Sequence, residues 1–140
     1  MKIDLESARG FFAASPFMVD LGIVPIAVDE GMVTTELLLQ RRHMQHLGLA
    51  HAGVMATMAD HSMGAAAQTM APEGHWILTA ELKTSQLRAG RGERLICEAR
   101  VIKPGRTISF TEASVWAEAA GARTLVMRAS ATMAVTAAKG

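Results

Sequence analysis

The sequence predicts an α+β fold of two layers, one long buried helix against one large antiparallel sheet. Three observations carry this expectation. The run from about Ala52 to Met70 is apolar or small almost throughout, as in a helix buried on most of its circumference. After the break at Pro72-Gly74, the chain reads as strands joined by connections of a few residues. Such links are too short for the crossovers that parallel strands need, so the strands are expected to be antiparallel. A helix and a sheet of this kind each carry an apolar face that the other must cover.

The elements follow in order. From Leu5 to about Met18 the spacing of Leu5, Ala8, Phe11, Phe12 and Phe17 is helical, and the pattern breaks at Ser15-Pro16. Ile23 to Val28 reads as a strand that turns at Asp29-Glu30-Gly31, with Met32 to Gln40 returning as its hairpin partner. Residues 41 to 50, RRHMQHLGLA, form a polar connection into the helix. Four strands are then expected: His75 to Leu87, Glu93 to Lys103, Thr107 to Glu118 and Arg123 to Val135. In the last, Leu125, Met127, Ala129, Ala131, Met133 and Val135 alternate with polar residues and are expected to face one way. The closing AAKG reads as a frayed tail.

At 140 residues the chain reads as a single domain, 1–140. Half of it is hydrophobic, yet aromatics are 4% and tyrosine is absent, so Ala, Met, Leu and Val must fill the core. The ten methionines suit cavities of irregular shape. A net charge of +1 gives no electrostatic basis for nucleic acid or an anionic membrane as partner. The opening MKIDLESARG has two acids and no apolar segment, which argues against a secretory signal. Ala50 to Met70 contains His51, Asp60, His61 and Gln68, too polar for a membrane span. The lone Cys97 excludes an intrachain disulfide, and a cytoplasmic location is expected.

Within the central helix, Thr57, Asp60, His61, Gly64 and Gln68 fall on one narrow stripe, opposite Met55, Met58, Ala59, Met63 and Ala66. A carboxylate there is costly unless hydrogen-bonded or paired. Either the stripe lines a cavity where Asp60 meets a substrate, or Asp60 is a structural acid satisfied by His61 or a strand residue. The helix alone leaves both open. His61 reads as a supporting or interface group, and Ser62 lacks the Gly-x-Ser-x-Gly elbow of a serine hydrolase. At the helix start, His51-Ala52-Gly53 puts free backbone N–H groups where they can bind an oxyanion. The plainer alternative is that Gly53 tightens helix-to-sheet packing. His43, His46 and His51, even with Asp60 and His61, match no zinc spacing, and no metal is expected. Cys97 alternates with Leu95 and Ala99 and reads as core.

In these motifs the sequence resembles the hotdog thioesterases of the phenylacetate-degradation (PaaI) type. That family has an Asn, a Gly three residues on, His-Gly-Gly three further, then Ala-Asp in the long helix. This chain has Gln45, Gly48, His51-Ala52-Gly53 and Ala59-Asp60 at the same spacings. Ser15-Pro16-Phe17 with Leu21-Gly22-Ile23 matches the family's opening, and Leu87-Arg88, Gly92-Glu93, Gly105-Arg106-Thr107 and Gly121 follow its sheet. The resemblance implies a hotdog fold, an antiparallel sheet of five or six strands wrapped around the helix, in a dimer or tetramer with sites at the subunit interface. It implies an acyl-CoA thioesterase for a small aromatic or medium-chain acyl group, with no cofactor, coenzyme A being part of the substrate. Asp60 would act as base or nucleophile. The N–H at Ala52, with His51 and Gly53 beside it, would polarise the carbonyl. Gln45 from the neighbouring subunit would place water or the thioester, and Thr79 would contact the attacking water. Arg88, Lys103 and Arg106, near turns of the sheet with Arg91, would meet the coenzyme's phosphates; the alternative is solvated turn charges.

The chain departs from the family in having Gln45 for Asn, Ala52 for Gly, and Gln86 where an aromatic or aliphatic residue is usual. Two other readings accompany the thioesterase one: a non-catalytic acyl-CoA-binding regulator, and a hotdog dehydratase or hydratase. The Ala59-Asp60 helix argues against the last.

Overall fold

The structure, a computed structural model, describes residues 3–137. Helix α1 (Leu5–Ala13) is capped by Asp4, whose carboxylate accepts from the Ser7 N–H at 2.7 Å. The expected break at Ser15-Pro16 is where a second helix starts. Pro16 opens α2 (Pro16–Leu21), a position where its missing N–H and fixed φ do no harm. Gly22, left-handed at φ 86°, closes that helix.

The hairpin β1 (Val24–Asp29) and β2 (Met32–Leu38) forms as expected, with β2 ending two residues short of Gln40. A short 3₁₀ turn, Arg41–His43, lies in the connection that follows. The central helix α3 spans Ala52–Gln68. The four strands after it are β3 (His75–Gln86), β4 (Arg94–Lys103), β5 (Ile108–Ala119) and β6 (Ala122–Ala137). Of the AAKG tail, Ala137 therefore ends a strand, and residues 138–140 lie outside the described residues.

All six strands join one antiparallel sheet in the order β1-β2-β4-β5-β6-β3. One face packs on α3. Met55, Met58, Ala59, Met63 and Ala66, the greasy side expected from the sequence, are buried in one core with Leu95, Cys97, Ala113, Val115, Met127 and Met133. The opposite face carries cross-strand ion pairs, among them Arg94–Glu36 and Arg94–Glu118. Cys97 is fully buried, and desolvation pushes its thiol up to about 12.

Two sheet features differ from expectation. The inward row of β6 holds from Met127 to Met133, but Val126 is an extra residue opposite the Val115/Trp116 step. That bulge pairs Leu125 with Trp116, so Leu125 leaves the row it was expected to share. Strand β3 follows the helix in sequence yet lies at the sheet edge, exposed along most of its length, with its own bulge between Thr79 and Glu81. Among the described residues no helix is long and apolar enough to cross a membrane.

Candidate active site

On α3 the polar stripe separates into residues with different partners. Thr57 turns its hydroxyl back to the Gly53 carbonyl, 2.8 Å away within the helix. Gln68 is spent on packing: its amide donates to the His75 carbonyl at 3.0 Å and accepts from the Ile77 N–H at 3.1 Å, tying the helix end to β3. Asp60 is half-buried and accepts a 2.7 Å hydrogen bond from the Thr79 hydroxyl on β3. The ion pairs among the described residues leave Asp60 out. The strand residue, not His61, is thus its hydrogen-bond partner, and Thr79 holds the carboxylate while leaving its charge uncompensated.

His61 packs its ring edge-on to Phe12 at 4.6 Å and tilted against Phe11 at 5.6 Å. Its Nε2 is the one buried side-chain nitrogen or oxygen among the described residues without a hydrogen-bond partner. Burial lowers its pKa, and the neighbouring Asp60 charge opposes that shift. A neutral imidazole in an aromatic wall is the result. In the sequence this wall shows only as the adjacent Phe11-Phe12 in the apolar pattern of the first helix.

The N-terminus of α3 differs in one respect from expectation. His51 is the N-cap, and its Nδ1 accepts from the Gly53 N–H at 2.8 Å. A Cβ at residue 53 would sit 2.9 Å from that nitrogen. Gly53 therefore admits the capping imidazole, and its N–H is already engaged rather than offered to a ligand. The Ala52 N–H donates to none of the described residues and remains the open donor.

The approach to this terminus is fixed by the backbone: the Ala50 N–H donates to the Gly90 carbonyl and the His51 N–H to the His43 carbonyl, both at 2.9 Å. Gln45 accepts from the Leu47 N–H. Gln45, His51, Ala52, Gln86 and Arg88 line one cleft of about 530 Å³. Arg88 is anchored there by donation to the Leu125 carbonyl at 3.0 Å.

One chain does not gather every expected site residue. Ala52 and Asp60 are eight positions apart on one helix, about 12 Å along its axis. Lys103 and Arg106 flank the β4–β5 turn, while Arg88 precedes the other end of β4. The ten residues of that strand separate the two by roughly 30 Å, so the three cations do not form one cluster within a chain. His43, expected in a polar loop, is buried; its Nε2 meets the Leu21 carbonyl at 2.7 Å and its Nδ1 accepts from the Gln40 N–H at 3.0 Å. Among the described residues no three His, Cys, Asp or Glu side chains converge as metal ligands would.

Comparison with known proteins finds relatives of this family and fold. The sequence profile of the thioesterase superfamily matches residues 47–123, which include both Ala52 and Asp60. A thioesterase family protein of Silicibacter pomeroyi superposes with a TM-score of 0.91 at 31% identity, over 94% of this chain and 97% of its own. A thioesterase of Haemophilus influenzae has the same fold, with a TM-score of 0.88 at 23% identity over 98% and 93% of the two chains. Among curated proteins, one from Caenorhabditis elegans named as an esterase is 30% identical over 91 residues, 64% of this chain. The chain spans about half the length of that relative, whose match covers 53% of it.

Proposed function

The chain belongs to the thioesterase superfamily, and from that premise we propose that it hydrolyses an acyl-CoA thioester to a free acid and coenzyme A. The observation that carries the reading is Asp60, a carboxylate with no cation beside it, held by the Thr79 hydroxyl at 2.7 Å. As a base, Asp60 takes a proton from water while the water oxygen attacks the thioester carbon. The Ala52 N–H receives the developing oxyanion at the helix N-terminus. Collapse breaks the carbon–sulfur bond, and the coenzyme's sulfur leaves with the proton that Asp60 holds. As a nucleophile, Asp60 would instead form an anhydride that water then opens.

The spacing along α3 favours a site shared by two chains. A carbonyl bonded to the Ala52 N–H is about 12 Å along the helix from its own Asp60, whereas attack needs reacting atoms about 3–3.5 Å apart. In the proposed dimer or tetramer, Asp60 and Thr79 come from one chain and Gln45, His51 and Ala52 from another. The open edge of β3, with Trp76 and Leu78 exposed, suits pairing with a second copy. Arg88, which lines the Gln45–Ala52 cleft, would meet a phosphate of coenzyme A, and Lys103 and Arg106, beyond the other end of β4, would reach it only from another chain. The spacing of Gln45, Gly48, His51 and Asp60 supports the phenylacetate-degradation subtype, acting on a small aromatic or medium-chain acyl group in the cytoplasm.

The test is a panel of acyl-CoA thioesters assayed for free thiol release. The parent should turn over at least one of them, and Asp60→Asn should lower that rate by about a hundredfold to ten-thousandfold with the fold intact. A folded variant working near the parental rate removes Asp60 from the mechanism. Binding of acyl-CoA with no thiol release would make the protein a sensor instead.

A further inference from the structure

A second cleft of about 530 Å³ opens at the start of β3, lined by Phe11 of α1, Trp76 of β3, Gln68 and Pro72, with Ser7, Glu73, Gly74 and His75 completing it. Its size is that of a small-molecule site. Phe11 belongs to two surroundings at once: it lines this cleft, and its ring lies 5.6 Å from that of His61, the neighbour of Asp60. Between the carboxylate and the cleft, on the same stripe of α3, stands Gly64. Glycine in mid-helix is unfavourable relative to alanine, and such a residue usually answers to a close neighbour. Here a Cβ built on Gly64 meets nothing within 4 Å. Among the described residues no packing contact accounts for the missing side chain.

We propose that the acyl group runs from Asp60 over Gly64 into the cleft under Phe11, so that Gly64 sets the acyl length the site accepts. The inference rests on the thioesterase reading and adds its substrate class: unbranched medium-chain acyl thioesters. From Asp60 to Gln68 is eight helical positions, about 12 Å, a medium-chain length and more than a single phenyl ring fills. The walls fit such a chain. Phe11 and Trp76 offer apolar faces and Gln68 has its amide committed to β3; behind Phe11, His61 adds an imidazole whose pKa burial lowers, and Ser7, Glu73 and His75 supply the polar part of the lining.

The probes are S-alkyl coenzyme A thioethers from ethyl to dodecyl, which cannot be hydrolysed and so report the pocket independently of Asp60. Each buried methylene is worth about fourfold in affinity. The parent should therefore bind the octyl thioether far more tightly than the ethyl one in calorimetry. In a Trp116→Phe background, octyl but not ethyl should shift the Trp76 emission. Gly64→Leu, which places a good helix former across the groove, should cut the octyl-to-ethyl affinity ratio at least about tenfold. Phe11→Ala, on the opposite wall, should lower the same ratio and provides the reading should Gly64→Leu not fold.

A parent without octyl preference, or a ratio unmoved in both variants, overturns the proposal. So does a Gly64→Leu protein that falls to a smaller assembly with its octyl preference intact, which would give the space at Gly64 to a subunit contact. If acyl-CoA is hydrolysed but its length profile ignores both substitutions, the pocket fails and the thioesterase reading stands. If the thioethers discriminate as expected but no acyl-CoA releases thiol, the pocket stands and hydrolysis fails.

Discussion

Thr79→Val isolates what the strand contributes to the carboxylate. Valine matches threonine in shape and suits a strand, so the substitution removes one hydroxyl and leaves β3 paired with β6. The bond lost is the 2.7 Å donation to Asp60; the contact with the Met133 sulfur at 3.5 Å is minor. Hydrogen bonds to a charged group are worth about 1.5–3 kcal/mol. Thr79 is exposed in the single chain, so the lower end applies, and the full loss in the transition state is about ten- to thirtyfold in kcat/KM. Continuous thiol release with the best thioester measures it, with circular dichroism to confirm the fold. The second half of the cycle decides how Thr79 acts. If it works by orienting Asp60, Thr79→Val added to Asp60→Asn should cost less than about twofold, because the bond it supports has already changed. Thr79→Ser should restore most of the rate in the native background. Equal losses in both backgrounds would refute the orienting role and assign Thr79 a direct contact with water or substrate. A parental rate in Thr79→Val would remove it from the site.

Two further outcomes follow from burial. The folded His61 imidazole has its pKa lowered by desolvation, against the opposing pull of Asp60, while the unfolded chain returns it to about 6.5. Below that pH the unfolded state takes up more protons, so the melting temperature should drop as pH falls through this window, and His61→Phe should flatten the drop. Cys97, buried with its thiol raised to about 12, should resist thiol reagents in the native protein and react only once denaturant opens the core; rapid native labelling would contradict its placement.

Most of the fold is legible in the sequence because its signals are local. The buried helix announces itself by composition, and the tight turns after Pro72 force antiparallel strands. What escapes is set by distant partners. Nothing in β3 itself says that it pairs with β6 and ends at the edge, and the bulge at Val126 that diverts Leu125 depends on the facing strand. For the site, residue types and spacing point to Asp60 and the helix start, and the resemblance adds Gln45, but hydrogen bonds assign their availability. Gly53 looks like an open donor until His51 is seen to occupy it. Arg88, Lys103 and Arg106 look alike as turn cations until the length of β4 separates them. Thr79 came from the resemblance, and the structure shows the Asp60 contact that gives it something to do.

The separation of Ala52 from Asp60 along one helix leads to a prediction that activity in a single chain cannot imitate. Gln45→Ala removes a group at the Ala52 cleft and should lower turnover on the order of a hundredfold, the usual loss for one positioning group. Asp60→Asn disables the other half. Each variant alone is nearly inactive whether the site lies within one chain or between two. Mixing them under conditions that exchange subunits separates the cases. Within one chain, every site keeps one defect and the mixture stays inactive. Between chains, each mixed dimer has one site with native Asp60 from one protomer and native Gln45 from the other, while its second site carries both defects. Random reassortment of equal amounts makes half the dimers mixed, so about a quarter of the parental activity should return. The recovery should appear at the rate of subunit exchange and, per total protein, be greatest at equal amounts and fall with an excess of either variant. A mixture that exchanges subunits by mass spectrometry yet stays inactive would place Gln45 and Asp60 in a site within one chain and end the two-chain reading.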